Sequence, residues 1–226
     1  MKRRVVFLGC VMLLVSLVAA GGASAQEQGA ANGEATEERS IYYPAGFTMA
    51  DGVFVAERSE TELVRITFEG TVVYTEKLTY NSDDGWAELE GHVRMERDGR
   101  IVTADRAFLE IDDERYVFEG DVYIEDTQGT TPRKIWADHV EYDGETGNLT
   151  ATGNVRLEEE TRWFTAARMV YDAENEIAVL EGDVFVSDER ATVTAQHMEI
   201  DLKEERFSGT GPGRIVLPRR AEDSGE

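Results

Sequence analysis

The side chains best suited to chemistry are few and scattered. Three histidines, His92, His139 and His197, stand among 46 carboxylates, and the single cysteine is Cys10. Histidines beside so many acids could hold zinc or move protons. Their positions argue otherwise. His139 and His197 occupy a slot of a sequence repeat that holds Arg106 and Arg168 in other copies. A slot that accepts arginine is a solvated surface position, so no zinc site is expected. The acidic turns lack the alternating ligand set of a calcium loop, and Asp143-Gly-Glu-Thr-Gly147 reads as a plain turn. No Gly-x-Ser-x-Gly, phosphate loop or acid pair stands out from the acidic background. One cysteine builds neither a disulfide framework nor a Cys-rich metal site. The sequence therefore predicts no enzyme, no metal and no cofactor.

Charge narrows the partners. The 226 residues carry 46 acidic and 23 basic side chains, a net −23. Residues 1–25 hold three of the bases and no acid, so the chain beyond them carries −26. That excludes ordinary nucleic-acid binding, which is driven by Lys and Arg on phosphates, and docking on an anionic membrane through a basic patch. Hydrophobic residues at 41% still suffice to bury a core. Arg94, Arg97, Arg100, Arg106 and Arg115 form one local concentration of positive charge, read as solubilising surface.

The N-terminus reads as an export signal. Basic Met1-Lys-Arg-Arg4, an apolar run over residues 5–20 and Ala23-Ser24-Ala25 follow one another, with cleavage expected after Ala25. The run falls short of the roughly 20 residues that span a bilayer. The expected location is the periplasm. Residues 26–40 carry no large apolar side chain before Ser40 and read as a flexible acidic leader; residues 218–226 read as a disordered tail. Residues 41–217 remain as one folded domain.

That domain is an internal repeat. A Gly-x-Val step recurs at Gly70, Gly91, Gly120, Gly153 and Gly182. Ala104, Ala137, Ala166 and Ala195 each precede Gly120, Gly153, Gly182 and Gly211 by 16 residues, and Thr75 holds the same slot before Gly91. The unit is 29 residues, with one insertion around 127–133. Five copies are evident, and a degenerate sixth begins near Phe47.

Around each glycine the apolar residues alternate with period 2, the signature of strands with one dry and one wet face. The dry parity reads Ala87, Leu89, Val93 and Met95, then Tyr116, Phe118, Val122 and Ile124. The next copies give Leu149, Val155 and Leu157, then Leu180, Val184 and Val186. By parity the glycines themselves fall on the dry face. Around each alanine the parity breaks: Val102 lies two before Ala104, yet Ala107 and Leu109 lie three and five after it. An extra residue in the alanine strand, a bulge or corner, would keep both parts facing one core. Turns fall at Asn81–Gly85, 112–114, Asp143–Gly147, 172–175 and 203–205, so each unit is two strands and the fold is all-β.

The repeated Gly-[Asp/Asn/His]-Val, the Ala slot and the following [Tyr/Leu/Ile]-[Asp/Glu] resemble the OstA-like domains of the lipopolysaccharide-transport proteins LptA, LptC and LptD. Phe118-Glu-Gly-Asp-Val122, Trp136-Ala-Asp138 with Tyr142-Asp143, and Thr150-Ala-Thr-Gly-Asn-Val155 carry the match, over about residues 65–216. The resemblance implies a twisted open β-jellyroll of five to six repeats whose apolar interior takes lipid acyl chains. It also implies partners among other OstA-like envelope proteins, joined edge strand to edge strand, or self-association through the same edges.

The residues themselves leave two interiors open. The dry-face set Ala87, Leu89, Val93, Met95, Tyr116, Phe118, Val122, Ile124, Leu149, Val155, Leu157, Leu180, Val184 and Val186 could fill an ordinary closed core. It could equally line a groove for lipopolysaccharide or a related lipid, where each buried CH₂ contributes about 0.8 kcal/mol. The first alternative makes the protein a structural repeat that assembles by edge pairing without lipid. The −26 charge opposes a phosphorylated ligand unless local arginines or divalent cations intervene.

Overall fold

The structure is a computed structural model; it describes residues 39–217 except 69, 128–131, 160, 188–190, 202 and 205. The expected export signal, most of the expected leader and the expected C-terminal tail lie outside the described residues, although Ser40, at the end of the leader segment, already opens the first strand. The chain order begins β1 (Ser40–Tyr42), β2 (Phe47–Ala50), β3 (Val53–Glu57), β4 (Val64–Phe68), β5 (Thr71–Thr75) and β6 (Lys77–Asn81). Long strands follow: β7 (Trp86–Arg97), β8 (Arg100–Glu110), β9 (Arg115–Asp126), β10 (Arg133–Asp143), β11 (Asn148–Glu159), β12 (Arg162–Asp172), β13 (Ile177–Ser187) and β14 (Thr192–Asp201). Two short strands, β15 (Arg206–Thr210) and β16 (Arg214–Val216), close the order.

These strands form one 16-stranded antiparallel sheet in which each of β7 to β14 pairs with its sequence neighbours. Hairpin turns set that order. In four of them a side-chain carbonyl or carboxylate oxygen accepts from backbone amides two or three residues on: Asn81 from Asp83 and Asp84, Asp143 from Thr146, Asp172 from Asn175, Asp201 from Glu204.

The glycine steps bend the sheet. Gly91 and His92 both have positive φ (78° and 47°), as do Gly120 and Asp121 (77° and 43°). Gly153 with Asn154 and Gly182 with Asp183 repeat the pattern. Each pair faces a single residue on the neighbouring strand. Glu90 pairs with Arg106 and Val93 with Ala104, so two residues of β7 oppose Asp105 alone. The same mismatch recurs on both sides of β9, and between β13 and β14.

This corrects the sequence reading in two respects. The extra residue sits in the glycine strand, not in the alanine strand. And the glycine is not an inward residue: a Cβ on Gly120 would lie 2.4 Å from the outward Asp105 carboxylate. Only a residue without Cβ tolerates both that approach and the left-handed φ. The alanine strand answers with two successive outward residues, Asp105 and Arg106, between inward Ala104 and Ala107. That is the parity break.

Aligned across the long strands, the bulges divide the sheet into two halves that close on each other. At one end the division is complete. β6 pairs with residues 86–90 of β7, whereas β5 pairs with residues 94–96. At the other end β15 takes residues 197–201 of β14 and β16 takes 192–194. The inward faces of both halves join in one apolar core. On the outside, aromatic residues clamp neighbouring strands: Trp136 packs on Tyr123, and Arg156 lies over both Trp136 and Trp163.

Candidate functional site

All the dry-face residues named from sequence point into the space between the two halves. Ala87, Leu89, Val93, Met95, Tyr116, Phe118, Val122, Ile124, Leu149, Val155, Leu157, Leu180 and Val184 are buried, and Val186 is partly buried against them. The alanine strands contribute as much: Leu109, Ile135, Val140, Tyr142, Met169, Tyr171 and Met198 share the same interior. Parity counted from each alanine identifies them, and they complete a lining that spans β7 to β14.

The interior is closely filled. Between Val155, Leu157, Phe164, Met169, Leu180 and Ile200 there remains only about 20 Å³, room for one water at most. A larger cavity of about 220 Å³ lies where the halves diverge at the N-terminal end, lined by Ile41, Ile66, Phe68, Leu78, Tyr80 and Ile111. The end strands cover little of this interior. Every residue of β2, β15 and β16 is exposed. Tyr42, Tyr43, Phe47 and Met49 stand exposed at one end, and Phe207, Ile215, Val216 and Leu217 at the other.

The margin opposite the bend is polar on one side and aromatic on the other. On one half Tyr116 stacks on Tyr142 at 6.2 Å, and burial pushes the Tyr171 phenol upward, with Glu176 and Asp172 adding to the shift. On the other half stand inward Arg100, Asp126 and Arg133, which are only 3%, 6% and 8% exposed. Arg100 donates from Nε to Asp126 Oδ2 at 3.1 Å. The five-arginine concentration read from sequence is therefore dispersed. Arg100 and half-buried Arg97 face inward, Arg94 and Arg106 face outward beside Glu96 and Glu119, and Arg115 is exposed. Position relative to the alternation, not distance along the chain, separates them.

The histidines stay on the outside. His139 sits between Glu119 and Glu141, and His197 faces Glu181, which also pairs with Arg168 at 2.9 Å. They belong to a row beside the bend in which Lys77, Arg106, His139, Arg168 and His197 alternate with Glu90, Glu119, the uncharged Thr152 and Glu181. Permanently charged pairs in it, Arg106 with Glu119 and Arg168 with Glu181, each favour the strand pairing by roughly 0.2–1 kcal/mol. His92 pairs with Glu76 at 2.9 Å, far from the other two in the row.

A repeated-hairpin sheet, folded along a line of glycine bulges around one apolar interior, defines a class of β-repeat domain. The model of the family described as LptA/(LptD N-terminal domain) LPS transport protein matches residues 72–206, and the chain belongs to that family. It is 25% identical over 145 residues to the LPS-assembly protein LptD of Cupriavidus necator, a stretch that is 64% of this chain and 18% of that relative. The chain thus spans less than a fifth of that relative's length. Among solved structures it is similar to LptH, the LptA homologous periplasmic component of the conserved lipopolysaccharide transport device from Pseudomonas aeruginosa. That match has 12% identity and a TM-score of 0.34, and covers 81% of this chain and 96% of the other.

Proposed function

We propose that this chain is a periplasmic carrier or bridge in the transport of lipopolysaccharide, or a related envelope glycolipid, toward the outer membrane. Acyl chains would enter between the two halves of the folded sheet and lie along Leu89, Phe118, Leu149 and Leu180 and their neighbours. Membership of the lipopolysaccharide-transport family carries this reading. The continuous apolar lining from β7 to β14 supplies what an acyl chain needs, and no catalytic group is required. Because the interior is closely filled, loading would have to part the halves or repack the side chains. The ends support the second part of the proposal. Sheet edges that no strand among the described residues covers, beside exposed Tyr42, Phe47, Ile215 and Leu217, suit pairing with a further strand of another OstA-like protein or of a second copy.

Native mass spectrometry of protein purified from its own host tests the reading. Retained lipid of acylated-glycolipid mass is the expected result. Lipid-free protein that also fails to bind an added acyl ligand would overturn it. The filled interior favours one alternative: a structural β-repeat that assembles edge to edge around a dry core, for which that same result is the expected one.

A further inference from the structure

We infer that the inward polar row at the open margin is a subsite for an anionic phosphate headgroup on the carried lipid. The inference rests on the carrier reading above, and adds to it the place and chemistry of the headgroup.

The row follows from the register. Arg97 pairs with Arg100, Arg100 with Asp126, Asp126 with Arg133, Arg133 with Glu159, and Glu159 with Arg162. These six consecutive positions hold four arginines and two acids, in a chain where acids outnumber bases two to one. At strand spacings of about 4.8 Å the row runs for roughly 24 Å. Arg97, Arg100, Asp126 and Arg133 extend the inward parity of Met95, Val102, Ile124 and Ile135, one step farther from the bend.

The surroundings suit an amphiphile. A narrow crevice at this margin, of only about 10 Å³ before any parting of the halves, is lined by Arg97 and Arg100 together with Phe68, Met95, Val102 and Tyr116, so guanidiniums and apolar interior meet at one place. A ligand with its chains inside would present its headgroup there. Burying an ion pair such as Arg100–Asp126 is weak as a device for stability, because desolvation offsets the attraction. The planar guanidinium fork matches phosphate oxygens bidentately, and the row's charge balance of four cations to two anions matches the roughly −1.5 to −2 of a phosphate monoester. The row thus carries a local excess of cations at the margin where the headgroup would lie, although the chain as a whole is strongly acidic.

The test compares two probes on the full-length exported protein: diphosphorylated lipid A and the same lipid with both phosphates removed, with inorganic phosphate as a third arm. The parent should bind the phosphorylated lipid at least tenfold more tightly. Arg97→Gln, whose side chain is partly solvated and lies 3.7 Å from exposed Asp98, should fold and lose about threefold for that lipid alone. Arg100→Gln with Arg133→Gln should erase the preference and leave dephosphorylated binding unchanged. Asp126→Asn should strengthen the preference, whereas a purely structural salt bridge predicts weakening of both lipids together. Millimolar inorganic phosphate should not displace the lipid; displacement would mean a free-phosphate site and overturn the inference. Equal parental affinities for the two lipids, or a preference kept by Arg97→Gln and the double variant, would also overturn it. If the parent binds neither lipid, the carrier reading fails first and takes this inference with it.

Discussion

The long central strands and the short terminal ones solve the same bend differently. In β7 to β14 each chain crosses the bend unbroken, at the cost of a left-handed Gly-x pair or two successive outward residues. At the ends the crossing is abandoned. β5 and β6 part at Glu76, and β15 and β16 part around Gly211-Pro-Gly213, so the two halves separate as independent short strands. Thr75 marks the transition. It fills the alanine slot, fully buried, and its hydroxyl lies 3.0 Å from the Lys77 carbonyl and 2.9 Å from the Glu90 carbonyl, a polar anchor that the alanines of the central copies lack. The difference teaches that burial is concentrated in the central strands, while the end strands β2, β15 and β16 stay exposed.

The largest effect expected from that division comes from placing a charge inside it. Phe118→Asp or Leu180→Asp should cost about 4 kcal/mol or more, because the carboxylate is desolvated without a partner and the apolar volume is lost. Ile215→Asp, at the exposed C-terminal end, should stay within about 0.5 kcal/mol of the parent. Chemical denaturation reads both, and analytical ultracentrifugation should show Ile215→Asp weakening any end-to-end association. Equal destabilisation at the two places would break the comparison.

An intermediate effect separates bulge glycines from turn glycines. Gly120→Ala must adopt φ of 77° and also displace the Asp105 side chain, so a loss of about 2–3 kcal/mol is expected. Gly70→Ala, with φ of 74° but nothing within 4 Å of its Cβ, should lose only about 1 kcal/mol. Thermal melting of the pair sharpens the claim that the bend, rather than backbone conformation alone, selects glycine.

The smallest effect lies in a central hairpin turn. The Asn175 side-chain and backbone amides hold the Asp172 carboxyl below the usual carboxylate range. A depressed folded value contributes stability that is present above the unfolded pKa and lost as pH falls through the folded one. Asp172→Ala should therefore lower the melting temperature slightly at pH 7, and the deficit should shrink as pH falls through the parent's lowered carboxyl pKa. A difference persisting at low pH would assign the turn's contribution to something other than that carboxylate.

Much of this was legible in the sequence because period-2 alternation and turn chemistry act locally. The inward positions of Leu89, Phe118, Leu149 and Leu180 follow from counting along single strands, and the turns from their Asn and Asp residues. The location of the bulge was not legible. A parity break in one strand looks the same whether the extra residue lies in it or in its neighbour, and only cross-strand register decides between Gly120-Asp121 and the residues around Ala104. The burial of Arg100 was missed for a related reason: nearness in sequence grouped it with Arg94 and Arg106, although its parity matches Val102 and Ala104. How closely the interior fills was out of reach too, since packing between the two halves joins residues that no local pattern connects.

The bulges fall in one line, and that line separates two geometric quantities. The cross-section depends on where the kink lies along each strand, whereas the length depends only on how many hairpins are stacked, at about 9.6 Å for each additional pair. A duplicated 29-residue unit would therefore lengthen the body without widening it, like a segment added to a tube of fixed bore.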